Sequence, residues 1–197
     1  IGIYYFKNSN FETSKKYFSS AINRKSISML DSYIASTLFL WSNLNSDKLE
    51  VSISNLDKAD DRFENLKRIQ NVFLNCFYKS PKTEISFKDL LIDQKTDFSR
   101  YYYFYTKYLS SIGKIEKAKK IIKESLIKYP RNLLLNQYLV DLENTNNSFN
   151  FSCENEKDVV AELMYIAANA LSSQSIYPSS NFYLNLTKYL NKDFHAY

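Results

Sequence analysis

Apolar side chains recur every three or four residues along nearly the whole chain, which is the period of an amphipathic α-helix. Short polar clusters interrupt this pattern at regular intervals, and the spacing corresponds to antiparallel helices joined by turns of about 3 to 5 residues. We therefore predict an all-α chain of about eleven helices, over residues 1–8, 11–23, 28–44, 47–58, 61–78, 83–93, 97–111, 114–128, 132–144, 156–172 and 177–191.

Composition favours helices over sheets. The chain has 197 residues, of which 45% are hydrophobic, and only two glycines and three prolines. Sandwiches and barrels draw heavily on glycine for their tight turns, and neither glycine lies in a phosphate-binding loop. The length allows one domain or at most two. We expect a single helical domain over residues 1–197, with a polar loop at 145–155.

One segment carries a motif of two helices. Residues 99 to 130 read SRYYYFYTKYLSSIGKIEKAKKIIKESLIKYP, with Gly113 at the turn. The pattern of large, small and turn-forming residues in this segment resembles a tetratricopeptide repeat (TPR), whose period is about 34 residues. The matching positions are Tyr102, Tyr105, Thr106 and Leu109 in the first helix, and Ala118, Ile122, Ser125 and Pro130 in the second.

Weaker copies of the motif flank this segment on both sides. Their small and bulky positions are Ser14, Phe18 and Ala21; Leu49, Ile53 and Leu56; Met164, Ala167, Ala168 and Leu171; and Ser180, Leu184 and Thr187. The resemblance, which is to the TPR-containing proteins of bacteria, implies a right-handed superhelical array of helix hairpins. We expect the loop at 145–155 to replace one second helix, and the chain to be a fragment of a longer array.

The resemblance implies that a peptide or partner protein binds on the concave face, which the first helix of each hairpin lines. We expect exposed positions beside the packing positions to carry recognition. Arg100 and Lys107 lie two turns apart, so we expect them to hold a carboxylate together, with Tyr103 between them; the alternative is that the whole set is ordinary solvated or inter-helix residues. The set is Asp31, Ile34, Leu38, Arg100, Tyr103, Lys107, Glu162, Tyr165 and Asn169.

Two other functions remain as alternatives: an RNA-binding helical-repeat protein, and the helical portion of a larger enzyme or secretion assembly. The net charge of +5 and the aromatic run at 101–105 invite the RNA interpretation. However, the basic residues comprise 21 Lys and only five Arg, whereas the recognition of nucleic-acid bases favours Arg. Five consecutive aromatic residues point all around a helix axis, which predicts a buried helix. We also expect the six lysines of residues 114–128 to form a solvated outer face.

The chain offers little material for catalysis. One His and two Cys are few for a metal cluster or a Ser/His/Asp triad, and His195 has no acidic or Cys neighbour in sequence. We therefore expect a non-enzymatic protein without catalytic residues, cofactor, metal or small-molecule substrate.

The cysteines and the apolar stretches bear on the compartment. Cys76 is expected in a helix core and Cys153 in a polar loop, and nothing in the sequence suggests that they pair. The longest apolar stretches cover 34–41 and 159–171. Both are too short for a membrane helix, which needs about 18 residues or more. We expect a soluble protein of the bacterial cytoplasm or periplasm, with no membrane-spanning segment.

Overall fold

The computed structural model describes residues 1–44, 46–93, 95–144 and 151–194. Within these ranges the chain forms α-helices and no strand, which confirms the prediction of an all-α protein with eleven helices. The helices are α1 Gly2–Lys7, α2 Phe11–Ile22, α3 Met29–Trp41, α4 Leu49–Asp57, α5 Glu64–Phe77, α6 Thr83–Ile92, α7 Tyr101–Ser111, α8 Ile115–Lys128, α9 Leu133–Glu143, α10 Glu156–Ser173 and α11 Tyr177–Leu190.

The largest boundary difference lies at the start of α7, which we predicted at residue 97 and which begins at Tyr101. The Asp97 side chain accepts a hydrogen bond from the Ser99 backbone N–H at 2.8 Å. This local turn competes with the helix for the backbone donors of the segment, so the helix starts later. A short 3₁₀ turn, Asp61–Phe63, likewise takes the place of the predicted first turn of α5.

Local backbone features fix where several helices begin and end. The turn between α7 and α8 depends on Gly113, whose positive φ lies in the left-handed region, where a side chain would cause strain. Four side chains accept a hydrogen bond from a backbone N–H in the first turn of α2, α3, α9 and α10. Each such cap stabilises a helix by about 1 kcal/mol. They are Asn10, Ser28, Asn132 and Asn155.

Consecutive helices pack as neighbours, in the pairs α1–α2, α2–α3, α3–α4, α4–α5, α5–α6, α6–α7, α7–α8, α8–α9 and α10–α11. In the best-matched repeat, α7 and α8 pack together, and Thr106 and Ala118 are fully buried. The pairs α3–α4, α5–α6 and α7–α8, which the repeat resemblance interprets as hairpins, are each in contact, and their assignment as repeats stays a prediction. The superhelical arrangement of these hairpins stays a prediction.

Helix α10 adds contacts between distant parts of the chain. It packs against α3, and its Glu162 bonds to Arg100 beside α7. Leu66 of α5 and Ile166 of α10 line the same groove. Helix α10 therefore packs on α3 and is bonded to the start of α7, and these contacts go beyond the neighbour-to-neighbour packing of a simple repeat array.

Candidate functional site

A buried ion pair joins α7 to α10. The Arg100 guanidinium donates two hydrogen bonds to Glu162, from Nε to Oε1 at 2.9 Å and from Nη2 to Oε2 at 2.9 Å. The Glu162 side chain is 0% exposed and that of Arg100 is 18% exposed. The Tyr101 hydroxyl lies 3.4 Å from Glu162 Oε1, and the guanidinium lies 4.4 Å from the centre of the Tyr165 ring. The Arg100 guanidinium is therefore bound by groups of its own chain.

Burial controls the protonation states around the ion pair. It raises the pKa of the Tyr101 hydroxyl well above the usual range, and the charge of Glu162 raises it further. Burial alone would lower the pKa of Arg100, but the Glu162 carboxylate outweighs this effect, so the pKa of Arg100 is raised. Tyr101 is therefore neutral and Arg100 charged at physiological pH. The resulting charge pair is bound internally, which is the arrangement of a structural ion pair.

The structure corrects several predicted site positions. We expected all nine to be exposed beside the packing positions, but Ile34, Leu38, Tyr103 and Glu162 are buried. The physical reason for Glu162 is that α10 packs against α3 and brings this carboxylate onto Arg100 at the start of α7. Arg100, Lys107 and Tyr165 are partly buried, and Asp31 and Asn169 are exposed. A role for any of these residues in partner binding stays a prediction.

The predicted joint carboxylate site of Arg100 and Lys107 does not form. Arg100 bonds to Glu162, whereas the Lys107 Nζ lies 4.8 Å from the centre of the Tyr138 ring and 5.8 Å from that of Tyr103. The two cationic groups therefore have different neighbours: Arg100 binds a carboxylate of its own chain, and Lys107 lies against aromatic rings.

An open groove with a volume of about 990 Å³ lies between α3, α5, α10 and α11. We call it the Asp31 groove. Three of its apolar side chains are exposed to solvent, namely Met29, Ile176 and Phe182. The groove also contains Leu66 and Asp31. Large apolar side chains that face solvent together in a concave surface are typical of a binding site.

Asp31 provides the negative charge of this groove. The N-cap residue of α3, Ser28, accepts a hydrogen bond from the Asp31 backbone N–H at 3.1 Å and donates one to Asp31 Oδ2 at 2.6 Å. Tyr183 of α11 donates to Asp31 Oδ1, and burial followed by this hydrogen bond raises the pKa of Tyr183. A carboxylate has about four acceptor positions. Asp31, which is exposed, therefore retains acceptor capacity for a cation.

A second depression of about 600 Å³ adjoins the Asp31 groove. It includes Ile34 and Leu38, and it shares Asp31, Phe182 and Tyr183 with the groove. We did not predict Phe182 and Tyr183 as site residues, because they belong to a second helix in the repeat interpretation. No local signal could have found them, because Tyr183 and Asp31 lie near opposite ends of the chain.

The aromatic run and the lysine-rich helix take no part in this groove. Tyr101, Tyr103, Phe104 and Tyr105 are buried, which confirms the prediction of a buried helix and means that they do not form an exposed stacking platform for a nucleic-acid strand. On α8 the lysines form ion pairs within the chain: Lys114 and Lys117 with Glu84, Lys119 with Glu116, Lys120 with Glu124, and Lys123 with Glu143. The chain's own acids thus offset much of this local positive charge.

The two cysteines form a disulfide between α5 and the segment before α10, so the interpretation that nothing pairs them is wrong. The Cα atoms of Cys76 and Cys153 lie 5.8 Å apart, within the usual range for a disulfide. The reason is the packing of Phe151, whose ring centre lies 4.4 Å from that of Phe104 and 5.4 Å from that of Phe73. This aromatic contact holds Cys153 beside α5.

Two further features bear on the class of protein. Among the described residues, no group of three or more His, Cys, Asp or Glu side chains is placed to hold a metal ion, and His195 lies outside them. No described helix has both the length and the apolar character needed to cross a membrane. Comparisons with protein-family models, curated proteins and solved structures find no match to this chain.

Proposed function

We propose that the protein is a non-enzymatic interaction module that binds a peptide or a segment of a partner protein in the Asp31 groove. The observation that carries this proposal is the groove itself, which is about 990 Å³ in volume and has Met29, Ile176 and Phe182 exposed along it. Burying such side chains against a partner gains roughly 25 cal/mol for each Å² of apolar area removed from water. A groove between helices suits an amphipathic helix, which lays its apolar face into it.

The charge within the groove specifies the partner further. Arg62 also lines the groove, but Asp60 accepts a hydrogen bond from its Nε at 2.9 Å and neutralises it locally. Asp31 therefore sets the sign of the charge that a ligand meets. The proposed occupant is a helical segment with apolar residues at i, i+3 or i+4, and i+7, and one Lys or Arg positioned to reach Asp31.

The repeat resemblance supports this function, because TPR arrays use such surfaces to bind peptides. RNA binding has less support, since the lysines of α8 pair with acids of the chain and the aromatic run is buried. A role as the helical portion of a larger assembly is compatible with the same groove, which would then bind another subunit. The disulfide favours an oxidising compartment, such as the bacterial periplasm, over the cytoplasm.

A display library of randomised helical peptides tests the proposal. We expect the selected peptides to share the apolar spacing and a central Lys or Arg. Phe182→Glu is expected to abolish their binding, because it removes apolar contact area and places a carboxylate that would have to lose its water under the apolar face of the peptide. Ile127→Glu is the matched control, since Ile127 is an exposed apolar residue of α8 away from the groove.

Fluorescence anisotropy with labelled peptides measures both variants against the native protein. Failure to enrich any peptide class with this pattern would contradict the proposal, as would equal binding by the Phe182→Glu variant. Replacing the central Lys of a selected peptide by Glu separates the charge contribution of Asp31 from the apolar contribution of the groove.

A further inference from the structure

A further cavity, separate from the Asp31 groove and from the depression beside it, lies between α7, α8, α9 and the segment before α10. Its volume is about 610 Å³. Small-molecule sites typically measure about 300 to 1,000 Å³, so the cavity is of suitable size for such a ligand. Four aromatic rings line it, those of Phe104, Tyr108, Tyr138 and Phe151. We call it the Lys107 cavity, after the cation at its wall.

Lys107 is the half-buried charge of this cavity. Its Nζ lies 4.8 Å from the centre of the Tyr138 ring. Burial lowers the pKa of Lys107 to about 8, and the nearby charge of Asp141 opposes this shift. An ammonium carries three N–H donors, so it can bond to an oxygen of a ligand in addition to its contacts within the chain. Because the site is partly desolvated, such a bond is stronger there than at an exposed lysine.

Two hydroxyl groups at the wall, those of Tyr138 and Ser110, are engaged within the chain. The Tyr138 hydroxyl donates to Ser110 Oγ at 3.1 Å, and Ser110 Oγ donates to the Thr106 carbonyl oxygen at 2.9 Å. Burial raises the pKa of Tyr138 to about 12, so this residue stays neutral at physiological pH. These hydroxyls therefore fix the shape of the cavity wall, and the ammonium supplies the charged donor.

The other charges at the cavity rim pair with each other. Glu116 pairs with Lys119 at 3.4 Å, and Glu154 pairs with Lys79 at 2.8 Å. Each of these carboxylates is thus offset by a lysine. The single ammonium of Lys107 at the cavity wall therefore suits a ligand that carries one negative charge.

We propose that the Lys107 cavity binds a small aromatic molecule that carries one carboxylate. The carboxylate accepts hydrogen bonds from the Lys107 ammonium, and the ring of the ligand packs against Phe104, Tyr138 and Phe151. Aromatic rings pack favourably edge-to-face or offset, which suits a wall built from several rings. This site is separate from the Asp31 groove, so either proposal can fail while the other holds.

Isothermal titration calorimetry with matched ligand pairs tests the proposal. The probes are naphthoate, indolepropionate and phenylbutyrate, each compared with its uncharged amide of nearly the same shape. We expect at least one carboxylate to bind about ten-fold more tightly than its amide, since a charge-assisted hydrogen bond contributes that much or more. The Lys107→Gln variant is expected to lose this preference. Lys120→Gln, which changes an exposed lysine of α8 that does not line the cavity, is expected to keep it.

A measurement on the native sequence guards against a variant that fails to fold. Lysine side chains labelled by reductive ¹³C-methylation report their own titration by NMR. Binding of the carboxylate is expected to move the Lys107 titration to higher pH, because the anion favours the charged ammonium. Binding of no carboxylate, equal binding of acid and amide, a preference that survives Lys107→Gln, or an unmoved Lys107 titration would each overturn the proposal.

Discussion

Two carboxylates, Glu162 and Asp31, each accept a hydrogen bond from a tyrosine, but their surroundings differ. At Glu162, α10 brings the carboxylate onto the Arg100 guanidinium and both are withdrawn from solvent. At Asp31, α11 supplies Tyr183 while the groove beside it stays open. Both residues were predicted to lie in a binding groove. The packing of the neighbouring helices decides that one is buried and the other exposed.

The difference has an energetic consequence. A buried ion pair contributes little net stability as a pair, yet removing one partner leaves the other charge buried and uncompensated. Asp31 is exposed, so water solvates its carboxylate when no partner is bound. Substitutions at the buried ion pair should therefore change folding, whereas substitutions in the Asp31 groove should change binding.

The largest effect is expected from Glu162→Ala. The variant leaves the Arg100 guanidinium without its buried carboxylate, so the free energy of unfolding should fall by about 3 to 5 kcal/mol. Urea denaturation followed by circular dichroism measures it. The double replacement Arg100→Met with Glu162→Leu should recover much of the loss, because neither charge remains. A loss below about 1 kcal/mol in the single variant would mean that water reaches the pair.

Reduction of the disulfide should have an effect of similar size. Cys76 and Cys153 are separated by 77 positions in the sequence. Closing a loop of that size stabilises a protein by about 4.5 kcal/mol in the chain-entropy model. Thermal unfolding with and without dithiothreitol measures the difference. The double variant Cys76→Ser with Cys153→Ser should not respond to the reductant. Detection of two free thiols in the unreduced, oxidatively purified protein would contradict the assignment.

A smaller and different effect is expected from Asp31→Asn. This change removes the negative charge but keeps an acceptor oxygen for Tyr183, so stability should change by less than about 1 kcal/mol. Affinity for a selected peptide with a central Lys should fall about ten-fold, as expected for loss of one charge-assisted contact. Asp57→Asn, at an exposed acid of α4, is the control. An equal loss of affinity in both variants would show only long-range attraction.

The smallest effect concerns pH and the start of α10. Burial raises the pKa of Asp158 to about 6, although the Ser152 backbone N–H and Asn191 donate hydrogen bonds to it. The pKa of Asp158 in the folded protein exceeds the unfolded value of about 3.9. The contribution of this group to the free energy of unfolding is therefore fully present below about pH 4. It is lost as the pH rises through about 6.

We expect the loss between about pH 4 and 7 to be about 1 kcal/mol after allowance for partial exposure. The comparison variant Asp158→Asn should lack this component of the pH dependence. Glu156 raises the pKa of Asp158 and Lys157 lowers it, so Glu156→Gln should weaken the same component. Urea titrations at several pH values measure these slopes, and identical slopes for the native and Asp158→Asn proteins would contradict the assignment.

The helices were predictable from sequence because their determinants are local. The three-to-four-residue apolar period and caps such as Asn10 and Asn132 act within a few residues. The docking of α10 was not predictable, because it joins residues far apart in the chain. One signal pointed to it: Glu162 is a single acid within the apolar stretch VVAELMYIAANAL, and such a residue requires a buried partner.

The candidate sites were less predictable than the fold for the same reason. The pairing of Cys76 with Cys153 depends on the packing of Phe151 between two aromatic rings, which no spacing rule encodes. The Asp31 groove depends on Tyr183 and Phe182 arriving from the last helix. Asp31 and Lys107 were both predicted as site residues. The residues around them differ from those that we expected, because tertiary contacts bring in side chains from distant parts of the chain.

The late position of α10 in the sequence also affects how the chain folds during synthesis. Helix α3 ends at Trp41 and α10 begins only at Glu156, more than half the chain later. Because translation adds roughly 10 residues per second, that side of α3 lacks its partner helix for about 10 s. During this interval the nascent chain exposes apolar surface. Chaperones that protect such surface should therefore raise the yield of this chain, most of all when synthesis is slow.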